Sequence, residues 1–369
     1  MAESGECSVT MVHTDNRPSS NYPGALHLEL DRYRRWLGRM CDLLGLAPNG
    51  CPYWKITTGT QAQLRRYGLA GEKGSVVVLV PAPIKTADIW DMAPSVSVVR
   101  RYVQAGCRVY LVIWPHPTRD YAASGLSDYA HSMLLACIDA VHADTGVERV
   151  FLTGHSIGGT IAALFAARHP ERLRGLTLLG APLRFGPDTG ALGRLVSLAP
   201  DVRALIGDAE VIPGWLLNAF TAVASPQTFI LSRAMDWLGS VGDPDRMRLH
   251  LLVERWTLNE TALPQRLFVD VVERLYRQDA FAAGRLRIGG RAVSPGDIVA
   301  PVVCVTPRHC EVAPSEATLP VLETFGTRDR EVLWYEGDRG VALQHLGMLV
   351  GPNAHRELWP RLIAWIRRH

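Results

Sequence analysis

The segment VERVFLTGHSIGGTIAALFAARHPERL, starting at Val147, constrains this chain more than any other. A short apolar run reaches Gly154-His155-Ser156-Ile157-Gly158-Gly159 and passes at once into a second apolar stretch with helical composition. A buried strand that turns directly into a buried helix needs small residues at the turn and a sheet covered on both faces. The segment therefore predicts a parallel, helix-covered sheet with Ser156 at a sharp corner.

The flanking sequence repeats the theme. SVVVLVPAPI (75–84) reads as a strand ended by prolines, SVSVVRRYVQAG as a helix closed by Gly106, and CRVYLVIW as the next strand. SDYAHSMLLACIDAVHADTG gives a helix opened by Ser127 as N-cap and closed by Gly146, and RGLTLLGAP gives a strand after the Ser156 helix. From Arg184 to Asp297 the rhythm lapses into helical patterns with no buried-strand run. A stretch that long is not a loop, so residues 184–297 are expected to form an inserted helical lid. APVVCVTP and REVLWYEG then restore the sheet, and NAHRELWPRLIAWIRRH closes the chain as a helix with Arg367, Arg368 and His369 at its end.

Four parts result: a Ser/Asn/Pro-rich tail over 1–22, a first core part over 23–183, the lid over 184–297 and a second core part over 298–369. The first core part opens with an amphipathic helix. Its stripe of Leu26, Leu30, Tyr33, Leu37, Met40 and Leu44 is expected to pack on the body, and WKITTGTQAQLRRYG follows as a hairpin.

Composition narrows the function. Of 369 residues 47% are hydrophobic and 20% charged, which suits a globular protein with a large core. A net charge of +3 leaves no excess for a nucleic-acid surface, and no apolar run approaches a membrane span. The seven cysteines lack CxxC spacing, and the start of the chain shows no signal peptide. Together these predict reduced thiols and a cytoplasmic location. Walker, dinucleotide and zinc patterns are missing, so no cofactor or metal is expected.

G-x-S-x-G between a strand and a helix is a nucleophile elbow, the signature of an α/β-hydrolase fold. Serine needs a base to take its proton, and His345, on the loop expected after the last strand, is the leading candidate. His155 lies in the elbow and is expected to shape the pocket, His309 lies near a strand end, and His355 is expected on the surface of the final helix. A carboxylate is due after APVVCVTP, but the loop reads Arg308-His309-Cys310-Glu311. Glu311 ranks first as replacement acid, a Ser156–His345 dyad next, with Asp338 and Asp188 as further options. For the oxyanion hole, Ile157 supplies one N–H, and Ala82 or Ile84 the other, because Pro81 and Pro83 have none. Trp215, Trp237, Trp256 and Tyr276 are read as core aromatics rather than tunnel lining. Arg308 is read as a surface ion-pair partner rather than a phosphate contact.

VPAPIKTADIWDMAPSVSVVRRYVQAGCRVYLVIWPHP, GHSIGGTIAA, the stretch from VERWTLNETALPQRLFVDVVERLY to IGGRAVSPGDI, and HLGMLVG carry a likeness. From about Ala25 onward the chain resembles the polyhydroxyalkanoate synthases, nearest to the short class III type. That resemblance implies an α/β-hydrolase fold and a covalent acyl intermediate formed from a hydroxyacyl-CoA. The family's nucleophilic cysteine matches Ser156, its aspartate matches Cys310, and its histidine matches His345. The expected activity is therefore a serine acyltransferase or thioesterase taking an acyl thioester of CoA or a carrier protein. The acyl group would pass to a small-molecule acceptor (an alcohol or amine) or to water. A carboxylesterase is the alternative, and a degenerate binding or partner subunit a further one; a homo-oligomer is compatible with all three.

Overall fold

The computed structural model describes residues 25–68, 73–116, 121–199, 201, 206–207 and 209–369. The expected tail over 1–22 lies outside them. Strands β1 (Trp54–Thr57) and β2 (Gln63–Tyr67) form the expected hairpin, with Trp54 opposite Arg66. β3 (Val76–Val80), β4 (Arg108–Ile113), β5 (Val150–His155) and β6 (Leu173–Leu179) follow the β-branched runs. The inserted stretch adds short strands β7 (Val211–Ile212), β8 (Leu263–Pro264), β9 (Leu286–Ile288) and β10 (Arg291–Val293). β11 (Val302–Pro307) and β12 (Arg330–Tyr335) then rejoin the main sheet. Its eight strands run in the order β1-β2-β4-β3-β5-β6-β11-β12, parallel from β4 to β12 and antiparallel at β1 and β2.

The helices account for the apolar character of the central strands. α1 (Ala25–Cys41) precedes the sheet; α2 (Val98–Gln104), α3 (Leu134–Thr145) and α4 (Ile157–Arg168) connect its strands. α5 (Ala191–Leu198), α6 (Gly214–Ala224), α7 (Ser232–Ser240), α8 (Pro244–Thr257) and α9 (Gln265–Asp270) lie between β6 and β11. α10 (Leu319–Leu322), α11 (Gln344–Val350) and α12 (Trp359–Arg368) complete the chain. Ile138 of α3 and Ile161 of α4 belong to one core; Val99 of α2, Leu349 of α11 and Trp365 of α12 belong to the other. Every residue of β3 and β5 is buried between them, which explains the lack of polar alternation.

Several local expectations are corrected. Ser127 does not cap its helix; its hydroxyl accepts the Gly289 N–H at 2.8 Å, while Gly146 closes the helix at φ 68° as read. Residues 184–297 are not free of strands, since β7–β10 lie there as two-stranded pieces. The α1 stripe faces outward: Leu30, Tyr33, Met40 and Leu44 are exposed, and Leu26's side chain lies outside what is described. α1 docks by its polar side instead. Arg34 donates to Glu260 at 2.8 Å, Asp31 accepts the Trp215 N–H, and Asp42, just past α1, takes two bonds from Arg255 at 2.7 Å.

α4 starts where it does because three glycines permit it. A Cβ on Gly158 would lie 2.4 Å from the Val80 carbonyl oxygen, one on Gly154 2.5 Å from the Gly159 Cα, and one on Gly159 2.5 Å from the Ala181 side chain. Gly158→Ala must push backbone against backbone. We predict a loss of about 2 kcal/mol or more in denaturant unfolding, or failure to accumulate folded protein; a wild-type midpoint would contradict this packing.

Candidate active site

Ser156 sits between β5 and α4 at φ 56°, ψ −135°, a conformation an L-residue holds only under constraint. Its N–H donates to the Leu179 carbonyl of β6 at 3.0 Å, and its carbonyl accepts the Gly159 N–H at 2.8 Å. Thr160 donates to the Pro182 carbonyl at 2.7 Å, fixing α4 to the end of β6. The side chain is thereby presented at the carboxyl ends of the strands, where open α/β sheets bind their ligands.

His345 is the second residue of α11 rather than a loop residue. The segment leading to it contains Ala342 at φ 58°, and α7 holds that segment from across the molecule. Asp236 accepts the N–H groups of Gly340 at 2.8 Å and Ala342 at 2.9 Å and pairs with His250 Nδ1 at 2.9 Å. Burial works to raise the Asp236 pKa, but His250 and the two amides hold it below the usual carboxylate range.

The His345 ring is buried, with Nδ1 3.4 Å from the Cys310 sulfur and no hydrogen-bond partner on Nε2. Burial, and then the neighbouring His155, push its pKa well below that of an ordinary histidine. His155 does shape the pocket. Its Nε2 donates to the His345 carbonyl at 2.9 Å, its ring centroid lies 4.6 Å from that of His345, and burial pushes its pKa down to about 4. His309 is exposed. His355 is buried, contrary to the surface position expected, with Nε2 donating to the Leu349 carbonyl at 2.8 Å.

The structure does not bring Glu311 to His345. Its carboxylate accepts from Ser225 at 2.5 Å and Thr228 at 3.3 Å, tying the β11 loop to the inserted segment. Asp338 is occupied by the Tyr335 hydroxyl and the Asn353 and Ala354 amides, and Asp188 is an exposed partner of Arg184. The group against His345 is Cys310. Burial pushes the Cys310 thiol up, further than the Ala313 and Val312 amides pull it down, so it is a neutral thiol near pH 7.

Ile157, at the start of α4, follows Ser156. The close approach of Gly158 to Val80 and Pro81 sets the 81–84 loop beside the elbow. That loop is fastened by the Ile84 carbonyl, which accepts the Thr261 N–H at 3.4 Å, and by Lys85, which donates to Glu260 at 3.1 Å. Burial lowers the Lys85 pKa to about 8 against the pull of Glu260.

Ser156, His345 and Ile84 line one cavity of about 350 Å³. Leu195, Phe220 and Phe268 from the segment between β6 and β11 form much of its apolar wall. Trp256 is buried in one core and Tyr276 packs against the other, as read, and both also line the cavity; Trp237 is exposed, against the core reading, and Trp215 is half-buried. No cluster of metal-ligating side chains occurs among the described residues, and no helix there is long and apolar enough to cross a membrane. The six described cysteines are free.

The α/β-hydrolase-fold family model matches residues 76–229. The chain is 24% identical to the poly(3-hydroxyalkanoate) polymerase subunit PhaC of Allochromatium vinosum over 93% of this chain and 97% of that one. For the PhaC of Thiocystis violacea the identity is 23%, over 95% and 99%. For the PhaC of Haloferax mediterranei it is 26% over 78% of this chain, which spans only 58% of that relative. Among solved structures, a monoacylglycerol lipase from Paleococcus ferrophilus superposes with TM-score 0.52 at 19% identity, covering 84% of this chain and 100% of the lipase. An α/β-hydrolase-fold protein from Nakamurella multipartita gives 0.52 at 18%, covering 85% and 98%. These two similarities show the fold.

Asp236 had no signal in the sequence, yet its geometry makes it a positioning residue for His345. Asp236→Ala is expected to cost about 2 kcal/mol of stability through lost buried hydrogen bonds. It should also slow fluorophosphonate labelling of Ser156 at least tenfold at a temperature where the variant is folded; an unchanged labelling rate would contradict the role.

Proposed function

We propose that this chain, a polyhydroxyalkanoate-synthase-like protein of the α/β-hydrolase fold, forms an acyl-Ser156 intermediate from an acyl thioester of CoA or a carrier protein. It would then pass the acyl group to an alcohol, an amine or water. At the coarser level it is an enzyme of the hydrolase-fold acyltransferase or hydrolase type. The observation that carries the finer reading is that a strained Ser156 and a His345 whose Nε2 is buried and unpartnered line one apolar cavity.

In this reading Ser156 Oγ attacks the thioester carbonyl carbon while its proton moves to His345 Nε2. The tetrahedral oxygen takes hydrogen bonds from the Ile157 N–H and a second amide of the 81–84 loop, with Ile84 as the assignment and Ala82 the alternative. The C–S bond breaks, the sulfur leaves with the proton from His345, and an oxygen ester remains. The acceptor enters, gives its proton to His345 as it attacks the ester carbonyl, and displaces Ser156, whose oxygen takes that proton from His345 as its bond to the acyl carbon breaks. Loading runs downhill because a thioester is more activated than an oxygen ester. The inserted segment 184–297 acts as a lid whose inner wall takes the acyl chain. The location is cytoplasmic.

Cys310 sets the pace. A carboxylate in its place would hold the Nδ1–H of His345 and stabilise the imidazolium; a neutral thiol is a weak acceptor with no charge. The same observation favours a second reading, a hydrolase-fold binding protein with an impaired site.

Incubation with an acyl-CoA should leave one acyl mass on the intact protein, mapped to Ser156 and absent in Ser156→Ala. An unmodified protein with no released thiol would reject acyl transfer from CoA. Cys310→Asp should raise thiol release at least tenfold. Because the His345 pKa is depressed, the wild-type acid limb should lie below the ordinary histidine value of about 6.5. The new carboxylate favours the imidazolium, so Cys310→Asp should move that limb upward; an unmoved limb would show that position 310 does not act on His345.

A further inference from the structure

The Ser156 cavity is apolar over most of its wall, and the charge it carries is of one sign. Lys85 and Arg233 line it, and among the described residues no Asp or Glu does. The two histidines of the lining add no charge near pH 7, because burial pushes the pKa of His155 and of His345 down. The counter-charges stand behind the wall. Arg233 forks onto both oxygens of Glu254, and Lys85 donates to Glu260 Oε1 at 3.1 Å and to the Thr257 carbonyl at 3.0 Å.

Lys85 is the less compensated of the two cations. Two of its three ammonium hydrogens go to these acceptors, which leaves one for the cavity. Glu260 is buried and shared: the same Oε1 also accepts from Arg34 at 2.8 Å, while Oε2 has no partner among the described residues. Lys85 and Arg34 thus divide one carboxylate and leave one positive charge over. With the Lys85 side chain only 16% exposed, that charge is held largely out of water, where a missing counter-charge is costly. Lys85 registers the cost: burial lowers its pKa to about 8, Glu260 opposes the shift, and Arg34 and Arg233 add to it. One surplus charge matches the single charge of a carboxylate better than the roughly −1.5 to −2 of a phosphate monoester. Leu195, Phe220 and Phe268 in the same wall suit methylenes between such a carboxylate and the reacting carbon.

We infer that Lys85 is a specificity-determining residue that receives a carboxylate at the far end of the acyl group, so that the donor is a mono-thioester of a dicarboxylic acid. This assignment rests on the acyl-transfer reading above and names its acyl class. The bond to Glu260 then does two things: it fastens the 81–84 loop, and it holds the ammonium at the cavity wall for the ligand.

The N-acetylcysteamine thioesters of glutaric and pentanoic acid have acyl chains of equal length that end in a carboxylate and a methyl group. With the full chain, kcat/KM should favour the glutaryl thioester at least tenfold, and Lys85→Met should reduce that ratio at least tenfold. A Lys85 that only holds the loop would slow both thioesters alike. No glutaryl preference in the wild type, or an unchanged ratio in the variant, overturns the proposal, and the wild-type ratio decides even where the variant does not fold. Pentanoyl transfer to β-alanine and to propylamine separates the acyl group from the acceptor. A wild-type preference for β-alanine that Lys85→Met abolishes would place the carboxylate on the acceptor and overturn the donor assignment. If neither thioester acylates Ser156, the acyl-transfer reading fails, and titration calorimetry with glutarate still decides the site. Binding at least tenfold weaker in Lys85→Met upholds a carboxylate on Lys85; no wild-type binding, or equal binding by the variant, rejects it.

Discussion

The left-handed backbone of Ser156, at φ 56°, is the constraint on which the remaining architecture depends. Such a residue costs about 1–3 kcal/mol and persists only where its surroundings over-determine it. Here β6 takes the Ser156 amide, the neighbouring glycines let α4 close against β3, and Thr160 fastens α4 to the end of β6. The same contact that admits α4 places the 81–84 loop beside the hydroxyl. Strain, strand order and the position of the 81–84 loop are therefore one arrangement.

The sheet was legible because β3, β4, β5, β6 and β11 are almost wholly buried and so written as mainly apolar runs. The elbow was legible because its glycines answer to contacts that leave no room for a Cβ. The α1 face was not, since amphipathic spacing identifies two faces without saying which one docks; ion pairs with Glu260 and Arg255 chose the polar one. β7 to β10 have two or three residues each, too few to show a period. Asp236 was invisible for a different reason, since its partner Gly340 is 104 residues away and hydrogen bonds to backbone amides leave no pattern in the partner's sequence.

Around His345 the sequence was half informative. The order of elements led to the histidine, and the missing carboxylate led to a search for a substitute nearby. Glu311, the nearest in sequence, is drawn off by Ser225 and Thr228 of the inserted segment. The thiol of Cys310 fills the position instead. Surrounded by buried groups and by His155, the imidazole is kept neutral, which would suit a base but would leave an imidazolium there without a counter-charge.

In the proposed chemistry a neutral His345 holds its proton on Nδ1, toward Cys310, and keeps Nε2 free for the Ser156 proton. Nitrogen-15 NMR of the ring reads this directly. At pH 7 the account predicts a protonated Nδ1 and a pyridine-like Nε2, persisting below the ordinary histidine pKa. A proton on Nε2, or a fully charged ring at pH 7, would contradict it.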